Sequence, residues 1–200
     1  MKQMKNKGKK SRKIRIFIVS EDYRTTNEIR RRILNGTNAK TGLLIQKPNQ
    51  IKNPSINREV IINDSINSKE LVRAMRAQKF DVACLMVNRQ NMSKASQIIN
   101  NSKAMEIKRL IVTFYNNDLG SANVKKLIRA VKNSQVASTI IEAARPNHNQ
   151  LLSYQAISNV QPVNDSSISN RSLADLMFQI IKEPHLHVNR DLGIVQLPYK

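Results

Sequence analysis

The sequence predicts an α/β fold: a doubly wound parallel sheet with helices on both faces. Two observations carry this. Short β-rich runs alternate with segments of helical period from residue 14 to about 141, the order expected of βαβ units. Boundary residues of the right chemistry also fall between the runs.

The strands are expected at residues 14–20 (IRIFIVS), 42–46 (GLLIQ), 60–63 (VIIN), 81–87 (DVACLMV), 110–114 (LIVTF) and 139–142 (TIIE). Helices are expected at 26–34, 68–78, 92–102 and 123–133, each with apolar residues at three- and four-residue spacing. Ile29 and Ile33, Leu71 and Met75, and Leu127 and Val131 would face the sheet.

Asn67 or Ser68 can cap the second helix, and Asn35-Gly36 supplies a stop after IRRRIL. Two prolines and much Asn make 47–59 a loop. After Arg145-Pro146 the chain changes character: a polar stretch and a mixed segment run to about residue 169. An amphipathic helix follows over 171–182, capped by Ser169 or Asn170, with Leu173, Leu176, Met177, Ile180 and Ile181 as one apolar stripe.

At 200 residues the chain fits one domain, expected over 13–200, behind a disordered basic tail at 1–12. Lys and Arg number 34 against 14 acids, a formal charge of +20, and eight of the cations lie in the first 15 residues. Phosphates, nucleic acid and anionic surfaces are therefore the partners to weigh. Abundant Asn, Lys and Ile also fit a drift toward AT-rich codons, which raises charge without a functional cause. Cys84 is the single cysteine, so no intrachain disulfide forms and a reducing cytoplasm is the expected setting. No apolar run approaches the roughly 18 residues of a membrane span.

The ordered phrases STIIEAARP, ISNRSLADLMFQIIKEPHLH and RDLGIVQLP resemble, in order and spacing, the C-terminal half of the atypical, NmrA-like short-chain dehydrogenase/reductases, a family of NAD(P)H-binding proteins. Upstream, EVIINDSINSKELVRAMRAQKFDVACLMV and MEIKRLIVTF are similar to the family's third to fifth strands. The resemblance spans 13–198 and implies a Rossmann-like fold that takes a dinucleotide. It also implies Asp64 and Ser65 near an adenine, Asn88 beside the ribose or nicotinamide, and Thr113 in place of the active-site Ser or Thr.

A dinucleotide loop needs glycines after its first strand, for a tight turn, for close approach to the pyrophosphate and for helix packing. Aligned on the family pattern, FIVSEDYRTTNEIRRRIL places Ser20, Tyr23 and Thr26 at those positions. Glu21 and Asp22 enter the same loop, and a carboxylate about 4 Å from a phosphate costs on the order of 1 kcal/mol even in water. Against this, Arg24 stands where the family often has a basic residue, and a helix N-terminus at Thr25-Thr26 is expected to offer free N–H groups to an anion. Lys47, just after the second strand, sits where NAD-preferring folds place an acid, so a 2′-phosphate would suit it better. Weakened or altered NADP(H) binding is the expectation, with no cofactor at all as the other outcome.

The family's usual chemistry pairs a Tyr with a Lys four residues on, which lowers the phenol's pKa. None of Tyr23, Tyr115, Tyr154 or Tyr199 has such a Lys. Tyr115, beside Thr113 at the end of a strand, is the one phenol placed to donate a proton. His185-x-His187 lacks the further ligands a zinc site needs, so no metal is expected. GxxxxGK[ST] and GxSxG runs are absent from the sequence. The competing reading is a non-catalytic regulatory or nucleic-acid-associated protein, binding weakly and with little specificity through the tail and the Arg30-Arg31-Arg32 run.

Overall fold

The computed structural model describes residues 13–63, 65–115, 121–147, 149–158 and 167–197. The expected tail, Asp64 and His148 lie outside the described residues. Along the chain run β1 (Arg15–Val19), α1 (Tyr23–Gly36), β2 (Lys40–Ile45), β3 (Glu59–Asn63), α2 (Ser68–Gln78), β4 (Val82–Val87), α3 (Met92–Asn101) and β5 (Arg109–Tyr115). They continue with α4 (Ala122–Asn133), β6 (Ala137–Ala143), β7 (Pro146–Asn147), β8 (Tyr154–Ser158), β9 (Ile168–Ser169), α5 (Asn170–Lys182) and β10 (Arg190–Gln196).

Eight strands form the main sheet in the order β3-β2-β1-β4-β5-β6-β10-β8. Every neighbouring pair is parallel except β10 with β8. All six expected strands are present. The C-terminal third adds what the periodicity did not show: β10 extends the parallel sheet beyond β6, and β8 turns back as an antiparallel edge. β7 and β9 pair separately.

The two faces bury different sets of side chains. Ile16, Ile18, Cys84, Met86 and Ile111 pack with Ile29 and Ile33 of α1 and with Leu173, Met177 and Ile180 of α5. Phe17, Val19, Leu85, Leu110 and Val112 pack with residues of α2, α3 and α4, including Leu71, Ile98 and Leu127. Each such side chain, fully buried, contributes about 1.5–3 kcal/mol. This is the doubly wound arrangement, with α1 lying along α5 on one face.

Two glycines serve close approach. A Cβ at Gly42 would stand 2.3 Å from Phe80 Cζ and 2.9 Å from Phe17 Cδ2, whose rings lie 4.9 Å apart. A Cβ at Gly36 would meet Phe178 Cζ at 2.5 Å. Gly36 ends α1 by admitting that ring, not by a left-handed turn, since no described glycine has positive φ.

The 47–59 loop holds a short 3-10 turn at Pro48–Gln50 and runs into Glu59, the buried first residue of β3. Arg30 grips Glu59 with both arms, Nε to Oε1 at 2.7 Å and Nη2 to Oε2 at 2.5 Å. Burial alone would raise the Glu59 carboxyl, but Arg30, the Ser55 N–H and the Thr41 hydroxyl together hold it below its ordinary value. Arg32 pairs with Asp175 of α5. Two of the three consecutive arginines expected to meet phosphate are thus spent inside the molecule, and only Arg31 is exposed.

Candidate functional site

The strand order reverses between β1 and β4, and ligands of open α/β sheets bind in the crevice beyond the carboxyl ends of the strands at such a point. Here that crevice is lined by Ser20, Glu21, Tyr23, Lys47, Gln50 and Gln90 and encloses ≈ 210 Å³. Pockets for small molecules usually run to about 300–1,000 Å³, so this one is small for a dinucleotide.

The cause is local. Asp22 is the N-cap of α1, which begins at Tyr23, one turn earlier than the sequence pattern predicts. Its Oδ1 accepts from the N–H of Arg24 at 2.9 Å and of Thr25 at 3.4 Å. Its Oδ2 lies 2.5 Å from the Thr25 hydroxyl, and its backbone carbonyl accepts from the Thr26 N–H at 3.0 Å and the Thr26 hydroxyl at 2.8 Å. The expected free amides at Thr25-Thr26 are therefore engaged by the protein's own carboxylate and carbonyl. A free helix N-terminus attracts anions because its first N–H groups lack partners; an aspartate cap satisfies them from within.

Ser20 is buried, and its hydroxyl accepts from the Asp22 N–H at 3.0 Å and donates to the Asp22 carbonyl at 3.2 Å, which fixes the turn. Thr25 is fully buried, with the Asn170 amide 3.0 Å from its hydroxyl. Arg24 is exposed; its Nε donates to the Tyr23 phenol at 3.1 Å, and its guanidinium lies 5.7 Å from the centre of that ring. Lys47 is exposed at the crevice rim.

Asn88 is half-buried and its Oδ1 accepts from the N–H groups of Gln90 and Asn91. Buried Asn91, which the sequence reading passed over, closes the same turn by donating from Nδ2 to the Met86 carbonyl at 2.8 Å. Ser65 is exposed on the β3–α2 turn, its N–H on Asn63 Oδ1. Crevice and turn thus bring Ser20, Lys47 and Asn88 to one end of the sheet.

The two expected catalytic residues, Thr113 and Tyr115, are buried and are not among the residues that line the crevice. Thr113 has no exposed surface, and its hydroxyl rests 3.9 Å from Met177 Sδ beneath α5. Strand alternation sends it to the helix-covered face, so it does not open on solvent. Tyr115, two residues on, points to the same face and is buried, its hydroxyl without a hydrogen-bond partner among the described residues. Burial, and then the charge of Asp22, push its phenol well above the ordinary range, with Arg145 opposing weakly. A phenol so placed holds its proton. Among the described residues no group of three or more metal-ligating side chains forms, and no helix is long and apolar enough to cross a membrane.

Sheet order, crevice and capped loop define an open α/β protein of Rossmann-like architecture, with the turn after β1 closed on itself. The chain belongs to the NAD(P)H-binding family, whose sequence pattern matches residues 24–184. That match begins just past the turn from Ser20 to Tyr23.

Solved structures share the fold. A Rossmann-fold NAD(P)-binding family protein from Shigella flexneri superposes with a TM-score of 0.77 at 23% identity, over 94% of this chain and 100% of that one. A wide-type short-chain dehydrogenase/reductase from Veillonella parvula, solved in complex with NADP, gives 0.71 at 14% identity, over 92% and 94%. A nucleoside-diphosphate-sugar epimerase from Staphylococcus aureus gives 0.68 at 11% identity, over 94% and 73%. Among curated proteins none matches the sequence.

Proposed function

We propose that this chain is a member of its family that binds NADP(H) weakly at the switch-point crevice and does not turn it over. The observation that carries the reading is the Asp22 cap. A pyrophosphate in the family's usual place would need the Arg24 and Thr25 amides that Asp22 already holds, and would lie against its carboxylate. The residues present do not fit a dinucleotide in that pose. What remains for an anion is Lys47 at the end of β2, with Ser65 and Asn88 at the neighbouring strand ends. A lysine there suits a 2′-phosphate better than a bare ribose.

The burial of Thr113 and Tyr115, neither of which lines the crevice, supports a binding role over reductase chemistry. The NADP bound to the Veillonella parvula relative supports the choice of ligand class. Cys84 is fully buried and burial pushes its thiol up to about 12, so it offers no nucleophile to a ligand.

Titrating NADPH and NADH by fluorescence tests this. Wild type binds NADPH weakly but saturably, Lys47→Asp abolishes the preference for NADPH over NADH, and Asp22→Asn, which keeps a cap but removes the charge, tightens NADPH by at least about fivefold, the equivalent of ~1 kcal/mol. Tight wild-type binding that Asp22→Asn weakens would contradict the reading.

A further inference from the structure

A groove of ≈ 840 Å³, larger than the crevice, runs along the outer side of α1, continuous with a second of ≈ 530 Å³ through shared residues such as Arg31 and Arg171. We propose that this groove binds a single strand of nucleic acid through its phosphate backbone, an activity separate from dinucleotide binding.

The floor is one stripe of α1, where Arg24, Asn27, Arg31 and Asn35 follow at three- and four-residue spacing. At 1.5 Å per residue that stripe runs about 16 Å. One wall is the 47–59 loop with Lys52; the other is the start of α5 with Arg171, beside Asn149 and Gln150. Arg24, Lys52 and Arg171 are exposed and form no ion pair among the described residues. Among the described residues the single carboxylate lining the groove, Glu28, is held by Arg31 at 3.2 Å.

The walls are fixed from behind. Arg30 donates to the Lys52 carbonyl at 2.7 Å and the Asn53 carbonyl at 3.1 Å while bound to Glu59. Asn27 Nδ2 donates to the Gln50 carbonyl at 3.2 Å, and Arg171 reaches the Gln150 carbonyl at 3.4 Å. The cations therefore project from backbone that is already tied down, and the ordering left to a ligand is that of their side chains. Amide side chains at the rim both donate and accept and so suit base edges without selecting one. The rim amides can reach base edges only where the bases are unpaired, so the occupant is single-stranded.

Fluorescence anisotropy of the full chain with a labelled oligothymidylate of about fifteen nucleotides, at two salt concentrations, tests this. Arg31→Gln/Lys52→Gln/Arg171→Gln weakens binding about tenfold or more and lowers the salt slope by about two. Lys125→Gln/Lys126→Gln/Arg129→Gln, an equal loss of charge from exposed positions of α4 on the opposite face, has a much smaller effect. NADPH titration and the urea midpoint of the groove variant stay at wild-type values, which separates this proposal from the preceding one and from misfolding. Four results would overturn it: no wild-type binding, equal losses in the two triple variants, equal competition by a duplex of the same length, or binding abolished only when Lys2, Lys5, Lys7, Lys9 and Lys10 are changed to Gln.

Discussion

Asp22 Oδ2 lies 2.5 Å from the hydroxyl of Thr25, while Oδ1 of the same carboxylate accepts from the Thr25 amide. One side chain thus satisfies both the first turn of α1 and a buried threonine beneath it. Replacing Asp22 with Ala strips the cap and leaves the Thr25 hydroxyl with Asn170 alone. The expected loss is about 1 kcal/mol, within the 0.5–2 kcal/mol range of lost caps, read as a lower urea midpoint with unchanged slope. Asp22→Asn, still able to accept, loses less.

Arg30 and Glu59 make the most buried ion pair described, with side chains 3% and 0% exposed. Removing either partner strands a charge, so Arg30→Met or Glu59→Gln costs about 3–5 kcal/mol. Arg30→Met/Glu59→Leu recovers part of that: no charge is stranded, but the Ser55 N–H and the Lys52 and Asn53 carbonyls still lose their partners. Chemical denaturation of the two single variants and the double variant checks the coupling.

The same pair sets an acid limit. Because the folded Glu59 carboxyl sits below its ordinary value, its contribution is complete above the ordinary carboxylate range. It is lost as pH falls through the folded value. The gap in unfolding free energy between wild type and Glu59→Gln should stay constant from neutral pH to about pH 5 and shrink below it.

Tyr115→Phe removes a buried hydroxyl that has no partner among the described residues. An unsatisfied buried polar group costs about 1–3 kcal/mol, so the variant should be as stable as wild type or more so by about 1 kcal/mol, with NADPH affinity unchanged. A large loss of stability, or of NADPH binding, would restore a working role to that phenol.

Gly42→Ala drives a methyl into Phe80 and Phe17, both buried. Overpacking of this kind costs about 1–3 kcal/mol. Phe80→Leu in the same chain should return part of it, as seen in thermal melts.

The parallel core was legible because its strands are short apolar runs separated by helices of clear period. Runs such as DVACLMV and LIVTF announce buried strands whichever face each residue takes. β8 was not legible, because YQAIS lies on a half-exposed edge and mixes polar with apolar residues. β10 carries the family-like phrase RDLGIVQLP, but its charged start and Gly193 hide a strand. Of the site, the missing glycines and the loop acids could be read directly. That Asp22 would turn inward to cap α1 could not, because a carboxylate near a helix start either caps the helix or faces solvent. Likewise the consecutive arginines offered no sign that Arg30 would find Glu59, 29 positions away in sequence and adjacent only through the sheet.

The most direct measurement follows the backbone amide resonances of Arg24 and Thr25 by nuclear magnetic resonance while NADPH is added to the wild-type chain. With those amides bound to Asp22, they should hold their positions while Lys47 shifts with saturation. Large, saturable shifts at Arg24 and Thr25 would place the pyrophosphate on the helix N-terminus and contradict the account.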